Sequence, residues 1–233
     1  MKRFVPVGLA FAIVAAALAF ASSTDAHGQS AGLVSSVLNK LEQNRQTLKT
    51  LRAGISMEKY NAQLRDAERY YGVVLYMPGV GRNASVRIEW SKPQHEILAV
   101  TNGKYVLFRP RLNTAITGTT TSKKADKSGD ILDLMNMSRD QLQARFQPFQ
   151  DVREETLWGA VSTIHLKLVP KGAASFKYAE IWVDSAGMPL QSKVVEKNDD
   201  ATTIRLNNLE RNVRISSDEF NVKLDSNVKI IKG

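Results

Sequence analysis

Leu51-Arg-Ala-Gly-Ile-Ser-Met-Glu58 is the stretch that decides the fold class. Leu51, Ala53, Ile55 and Met57 alternate with Arg52, Gly54, Ser56 and Glu58. That period of two puts apolar side chains on one face of a strand and polar ones on the other. Just upstream the period differs. From Leu33 to about Lys49, Val34, Val37, Leu38, Leu41 and Leu48 fall mostly at helical spacing, with Lys40, Glu42, Asn44 and Arg45 on the other side. This predicts an amphipathic helix that gives way to a half-buried strand at Thr50.

Strand signals recur downstream. Arg69 to Met77 reads as a second strand, closed by the turn Pro78-Gly79-Val80-Gly81. Val86, Ile88 and Trp90 alternate with Arg87 and Glu89, and Lys92-Pro93 ends that run. Ile97 to Thr101 and Tyr105 to Arg109 flank Asn102-Gly103, a pair suited to a tight hairpin turn. Further strands are expected at Ala160 to Val169, Lys177 to Asp184, Leu190 to Glu196, Thr202 to Leu209 and Glu219 to Leu224. Between the two groups, residues 110–130 are rich in Thr, Ser, Lys and Gly and read as a long mobile loop. Ile131 to Met137 then predicts a short apolar helix, and Ser138 to Phe146 a polar one whose Ser138-Arg-Asp-Gln141 start fits a capping box. Short strands with regular turn signals predict a mainly β protein, an antiparallel sandwich or barrel with a few helices.

The N-terminus carries an export signal. Lys2 and Arg3 precede an apolar run from Phe4 to Phe20, and Ala19-Phe20-Ala21 supplies small residues where a signal peptidase cuts. Residues 1–21 therefore read as a signal peptide, with Ala26 as a second possible cut site; 22–32 as a flexible leader; and 33–233 as one domain. The expected location is outside the cytoplasm. The chain has no cysteine, so disulfides, thiolate metal sites and the acyl anchor of a bacterial lipoprotein are excluded.

The formal charge of +9 suits an acidic partner or an anionic surface. Nucleic acid is not expected, because the chain is exported and its basic residues are scattered. The tightest cluster, Lys123, Lys124 and Lys127, lies in the predicted loop. Catalytic chemistry finds little support. His27, His95 and His165 read as plain surface residues, none at a metal-ligand spacing from another. No Gly-x-Ser-x-Gly elbow is present, and no glycine loop opens a helix after a strand. No enzyme activity, cofactor or metal is expected.

The apolar faces of the strands have few polar intrusions. The segment Ile131-Leu132-Asp133-Leu134-Met135-Asn136-Met137 beside the long loop suits a movable lid, methionine being adaptable to a flexible ligand. Alternation nominates Ile55, Met57, Val86, Ile88, Trp90, Ile164, Leu166, Leu168, Ile181 and Val183 as cavity lining, with Ile131, Leu134 and Met135 contributed by the lid.

Several stretches, in this order, resemble the LolA family of periplasmic lipoprotein carriers. They are Val86-Arg-Ile-Glu-Trp-Ser-Lys-Pro93, Ile97-Leu-Ala-Val-Thr-Asn-Gly-Lys-Tyr-Val-Leu-Phe-Arg-Pro110 and His165-Leu-Lys-Leu-Val-Pro-Lys171. Ala179-Glu-Ile-Trp-Val-Asp-Ser-Ala-Gly-Met-Pro-Leu190, Thr203-Ile-Arg-Leu-Asn207, Phe220 and Val228-Lys-Ile-Ile231 complete the set. The resemblance implies an unclosed antiparallel β-barrel with a helical lid over an apolar cavity. It implies a monomer that takes acylated lipoproteins from an inner-membrane ABC transporter to an outer-membrane receptor, with no nucleotide or metal of its own. A carrier of another amphiphile such as a glycolipid, or a lipid-sensing regulatory domain of the same fold, is the alternative. The family's lid-holding arginine falls here on Arg82 or Arg87, with Arg82 preferred because alternation turns Arg87 away from Ile88 and Trp90. Met77-Pro78 stands where the family often has Arg-Pro.

Overall fold

The computed structural model describes residues 25–79, 84–120 and 137–233. Residues 1–21, read from the sequence as a signal peptide, lie outside that set, as do Arg82, the expected lid residues Ile131, Leu134 and Met135, and Lys123, Lys124 and Lys127.

Helix α1 (Asp25–Thr47) leads into strands β1 (Leu51–Asn61), β2 (Asp66–Met77), β3 (Ser85–Lys92), β4 (Glu96–Thr101), β5 (Lys104–Arg109) and β6 (Thr114–Thr119). Helix α2 (Arg139–Arg145) precedes β7 (Gln150–Leu157), β8 (Val161–Leu168), β9 (Phe176–Asp184), β10 (Pro189–Glu196), β11 (Ala201–Arg211) and β12 (Lys229–Lys232). Among the described residues these twelve strands form one unclosed sheet, in the order β12-β6-β5-β4-β3-β2-β1-β11-β10-β9-β8-β7. Two meanders, β1 to β6 and β7 to β11, are stitched together where β1 pairs with β11.

Local chemistry explains the elements. Ser138 caps α2: its side chain accepts from the Gln141 N–H at 3.2 Å while the Gln141 side chain accepts from the Ser138 N–H at 2.9 Å. Asn102 and Gly103 both take positive φ, 52° and 71°, as the two-residue turn between β4 and β5 requires. At Gly187, φ is +79° and an added Cβ would lie 2.0 Å from the Lys40 carbonyl oxygen, so the β9–β10 turn presses directly against α1. Asp184 fixes that turn by accepting from the Ala186 and Met188 N–H groups.

Four sequence expectations need correction. The helix starts at Asp25, within the stretch expected as a leader. The supposed loop over 110–130 contains a 3-10 turn at Pro110–Leu112 and all of β6, held by ladder bonds to β5 rather than by an apolar run of its own. Glu219 to Leu224 is not a strand. Ser216 and Glu219 form a second capping box, which winds Ser217–Phe220 into a 3-10 turn, and the last strand falls later, at β12. Parallel pairing of β12 with β6 also means that the sheet is not wholly antiparallel. Strand β7 had no apolar alternation to reveal it; it is a charged edge strand held by β8.

The inner face is defined here as the one that α1 covers. Val37, Leu38 and Leu41 of α1, with Leu142 and Phe146 at α2, close over Leu166, Leu168, Ile181 and Val183. A second cluster joins Ile55, Met57, Ile88 and Trp90 to Leu48, Met188 and Leu206. On the opposite, outer face the C-terminal 3-10 turn packs on β3 and β4, with Phe220 only 1% exposed.

Candidate functional site

Strand register places the nominated lining on one face. Leu166 pairs with Ile181, Ser192 with Ile204, Ile204 with Met57, and Ile55 with Gly72, which faces Trp90. Side chains directly opposite across antiparallel strands share a face, so the residues line up across the sheet. Gly72 has a packing reason: an added Cβ would lie 2.2 Å from the Glu89 carbonyl oxygen. Trp90 packs edge-on against Tyr70, ring centroids 5.8 Å apart.

The lining does not form one continuous open surface. Ile164, Leu166, Leu168, Ile181 and Val183 lie in the cluster beneath α1 and α2 and are at most 9% exposed. Ile55, Met57, Ile88 and Trp90 are buried in the second cluster, and Val86 is half-buried at its margin. Beyond Val86 and Ile88 the same face continues outward across β4, β5 and β6. Ile88 faces Leu98, Leu98 faces Leu107, and Leu107 faces Ile116. Val86 likewise faces Val100, which faces Tyr105. Leu98, Val100, Tyr105, Leu107 and Ile116 are only half-buried. The Tyr105 ring lies over Gly118, where a Cβ would come within 2.7 Å of it. This strip is therefore apolar and only half-buried. Sequence reading missed it because Ile97 to Thr101 is apolar on both faces, and Ile97 and Ala99 are buried on the outer one, where the C-terminal 3-10 turn packs on β4. The register partner of Ile88 is the signal that picks out Leu98 rather than Ile97.

Arg87 is on the outer face, as alternation requires. Its guanidinium donates to the carbonyl oxygens of Glu219 and Asn221 at 3.3 and 3.1 Å and to Glu89 at 3.1 Å, tying the C-terminal segment to β3. Partial burial pushes the Glu89 carboxyl up, but the hydrogen bonds and charge of Arg87 and His95 together outweigh it and hold the carboxyl below its ordinary range.

His165 is not the surface residue expected. It is fully buried on the outer face, its ring 4.7 Å from that of Trp182 and its Nδ1 2.9 Å from the Asp151 carbonyl oxygen. It serves to pin the edge strand β7 to β8. His95 sits at the surface, 3.1 Å from Glu89. Among the described residues no cluster of His, Cys, Asp and Glu suits a metal ion, and no helix is long and apolar enough to cross a membrane.

The described residues form one unclosed twelve-stranded sheet, covered by helices over one half of its inner face and apolar over the other, an architecture suited to binding lipid or lipoprotein. The family model described as outer membrane lipoprotein carrier protein LolA matches residues 79–223, and the chain belongs to that family. Its members are carrier and binding proteins. No curated protein sequence matches the chain. Among solved structures, an uncharacterized conserved protein from Thermus thermophilus is similar at TM-score 0.52 and 12% identity, over 86% of this chain and 99% of that one. The MucA/MucB complex of Pseudomonas aeruginosa contains a chain similar at TM-score 0.50 and 12% identity, over 84% of this chain and 62% of that one. A LolA superfamily protein from Nitrosomonas europaea is similar at TM-score 0.41 and 12% identity, over 81% and 97%.

Proposed function

We propose that the chain is an exported, monomeric periplasmic carrier that binds the acyl chains of lipoproteins. In this reading it takes them from an inner-membrane ABC transporter to an outer-membrane receptor. The observation that carries the reading is the half-buried strip Leu98-Leu107-Ile116, continuous with Ile88, on the helix-bearing face of a LolA-family sheet. The export signal at Lys2 and Arg3 followed by the apolar run supports the location. Ile131, Leu134 and Met135 are proposed as the lid over this strip, and Arg82 as its holding arginine. Of the ten nominated lining residues, Val86, Ile88 and Trp90 border the strip and are its proposed floor. Ile55 and Met57 extend that floor inward. Ile164, Leu166, Leu168, Ile181 and Val183 are proposed to line it only when the helices shift.

Energetics favour a carrier over free diffusion. Burying one methylene is worth about 0.8 kcal/mol, so an acyl chain with roughly 14 buried methylenes represents on the order of 11 kcal/mol. Water does not extract such a chain, so release requires a competing apolar site and a cover that opens at modest cost. The test is native mass spectrometry of protein purified from its own periplasm, with lipid extraction. A bound triacylated protein supports the reading. A free phospholipid or glycolipid moves the protein to the alternative amphiphile reading, and repeated recovery of ligand-free protein refutes carriage.

A further inference from the structure

We propose that β12 is a docking edge, and that its partner is an extended acidic segment of another protein that pairs with it as an added strand. Among the described residues β12, Lys229-Ile-Ile-Lys232, is the last strand of the sheet on one side and pairs with β6 alone. All four residues are exposed, Ile230 by 61% and Ile231 by 42%. The Lys229 N–H donates to the Asn113 carbonyl at 2.9 Å and the Gly233 N–H to the Thr117 carbonyl at 2.8 Å. In a parallel ladder alternate residues bond to the same neighbour. Lys229, Ile231 and Gly233 therefore face β6, while Ile230 and Lys232 turn their N–H and C=O groups outward. Such an edge is a template for strand addition.

Charge selects the partner. Lys229 and Lys232 flank the two isoleucines, Arg111 sits in the turn before β6, and Lys104 pairs with Thr119 at the far end of β6. Among the described residues none of these four cations forms a salt bridge. A second copy fits less well: its own Lys229 and Lys232 would bring like charge to an edge that is already basic, which an acidic segment instead neutralises. The opposite edge of another copy fits little better, because Arg153 already bonds Asp151 and Glu155 on β7. A bilayer surface also fits poorly. Neighbouring residues of a strand point to opposite faces, so Ile230 and Ile231 cannot both enter one flat interface. An extended chain beside β12 meets both faces, with apolar side chains against the isoleucines and carboxylates against the lysines. This inference stands whether or not the inner strip binds acyl chains.

The test titrates 15N-labelled protein with the peptide acetyl-Glu-Val-Glu-Val-Glu-Val-Glu-amide and with its lysine-for-glutamate counterpart. The acidic peptide is expected to shift β12 and β6 resonances and to slow hydrogen exchange at the Ile230 and Lys232 amides; the basic peptide does neither. Ile230→Pro removes one outward donor and leaves the ladder to β6 intact, and weakens binding at least tenfold. Lys229→Glu with Lys232→Glu does the same, and amide dispersion outside β12 reports that both variants fold. Four results would overturn the proposal. They are no shifts at millimolar acidic peptide, shifts confined to the inner strip or to β7, unaltered binding by Ile230→Pro, and concentration-dependent self-assembly in sedimentation that Ile230→Pro abolishes. Binding to phosphatidylglycerol vesicles that the Lys→Glu pair abolishes and Ile230→Pro leaves intact points to a membrane surface and also overturns it.

Discussion

Truncating the open strip and truncating the closed core are expected to have opposite signatures, and the contrast tests where ligand binds. Leu107 and Ile116 face each other on β5 and β6 and are half-buried. Fully burying a leucine or isoleucine is worth about 1.5–3 kcal/mol, so a half-buried one keeps roughly 1 kcal/mol to gain when an acyl chain covers it. Replacing both (Leu107→Ser, Ile116→Ser) therefore removes about 2 kcal/mol of binding, close to thirtyfold in affinity at 1.4 kcal/mol per decade. The fold loses a similar, modest amount, because backbone ladders hold β5 to β6. Leu166 is the comparison. It is 1% exposed beneath the helices, and Leu166→Ala is expected to cost about 2–5 kcal/mol of stability through lost transfer energy and a cavity. Because Leu166 meets ligand only when the helices shift, the protein that remains folded should bind through the strip within about threefold of normal. Urea unfolding supplies the stability, and displacement of a fluorescent fatty-acid probe supplies the affinity. The reasoning fails if the double serine variant binds normally, or if Leu166→Ala loses affinity as steeply as the strip variant does while still folded.

Two further expectations follow from the joints around α1. Gly187→Ala meets both a positive φ and the Lys40 carbonyl oxygen at 2.0 Å, so it should cost more than about 2 kcal/mol in urea unfolding; a change below about 0.5 kcal/mol would show that the turn does not bear on the helix. Glu42 accepts from Arg45 at 3.0 Å and from the Arg139 N–H of α2 at 3.4 Å, and the Arg45 hydrogen bond, against the opposing pull of burial, lowers its pKa to about 2. A depressed carboxylate stabilises the fold above its ordinary range and loses that effect as pH falls from about 4.5 to about 2. The whole shift would be worth on the order of 3 kcal/mol, but a carboxylate 25% exposed is screened, so about 1 kcal/mol is expected. Glu42→Gln should therefore be less stable than the parent at pH 7 by that amount and equal to it near pH 2, as thermal unfolding across that range would show.

Much of the fold was legible because period is a local property. Leu51 to Met57 alternates cleanly, and the structure buries those residues while leaving Arg52, Gly54 and Ser56 half-exposed. The Asn102-Gly103 turn and the Ser138 cap were legible for the same reason: each is set by the chemistry of two to four adjacent residues. What escaped is held by neighbours in space. β6 is Thr- and Gly-rich and β7 is charged, and both exist because β5 and β8 offer ladder partners. The capping box at Ser216 carries the same Ser-x-x-Glu pattern as a helix start, and would have argued against a strand at Glu219. At the candidate site, alternation assigned the face of Ile88 correctly, but depth of burial depends on which helix or turn lands on which half of the sheet. His165 shows the same limit: on a strand face shared with Thr163 and Lys167 it reads as exposed, and only the packing of Trp182 and the β7 bulge at Asp151 buries it.

The two halves of the sheet are covered on opposite sides, and that division bears directly on how one chain is both stable and open. Over β8, β9 and β10 the helices seal the inner face, and the large buried side chains there supply a closed core. Over β3 and β4 the C-terminal segment, clamped by Arg87 and anchored by Phe220, packs on the outer face instead. β3 to β6 thus draw stability from their outer side, through Ile97, Ala99, Ala115 and Phe220. Their inner residues are released from that duty, and Leu98, Leu107 and Ile116 remain half-exposed at little cost to folding. A substitution that loosens the outer clamp, such as Phe220→Ala, would then weaken the strip through the strands beneath it rather than through any contact with ligand.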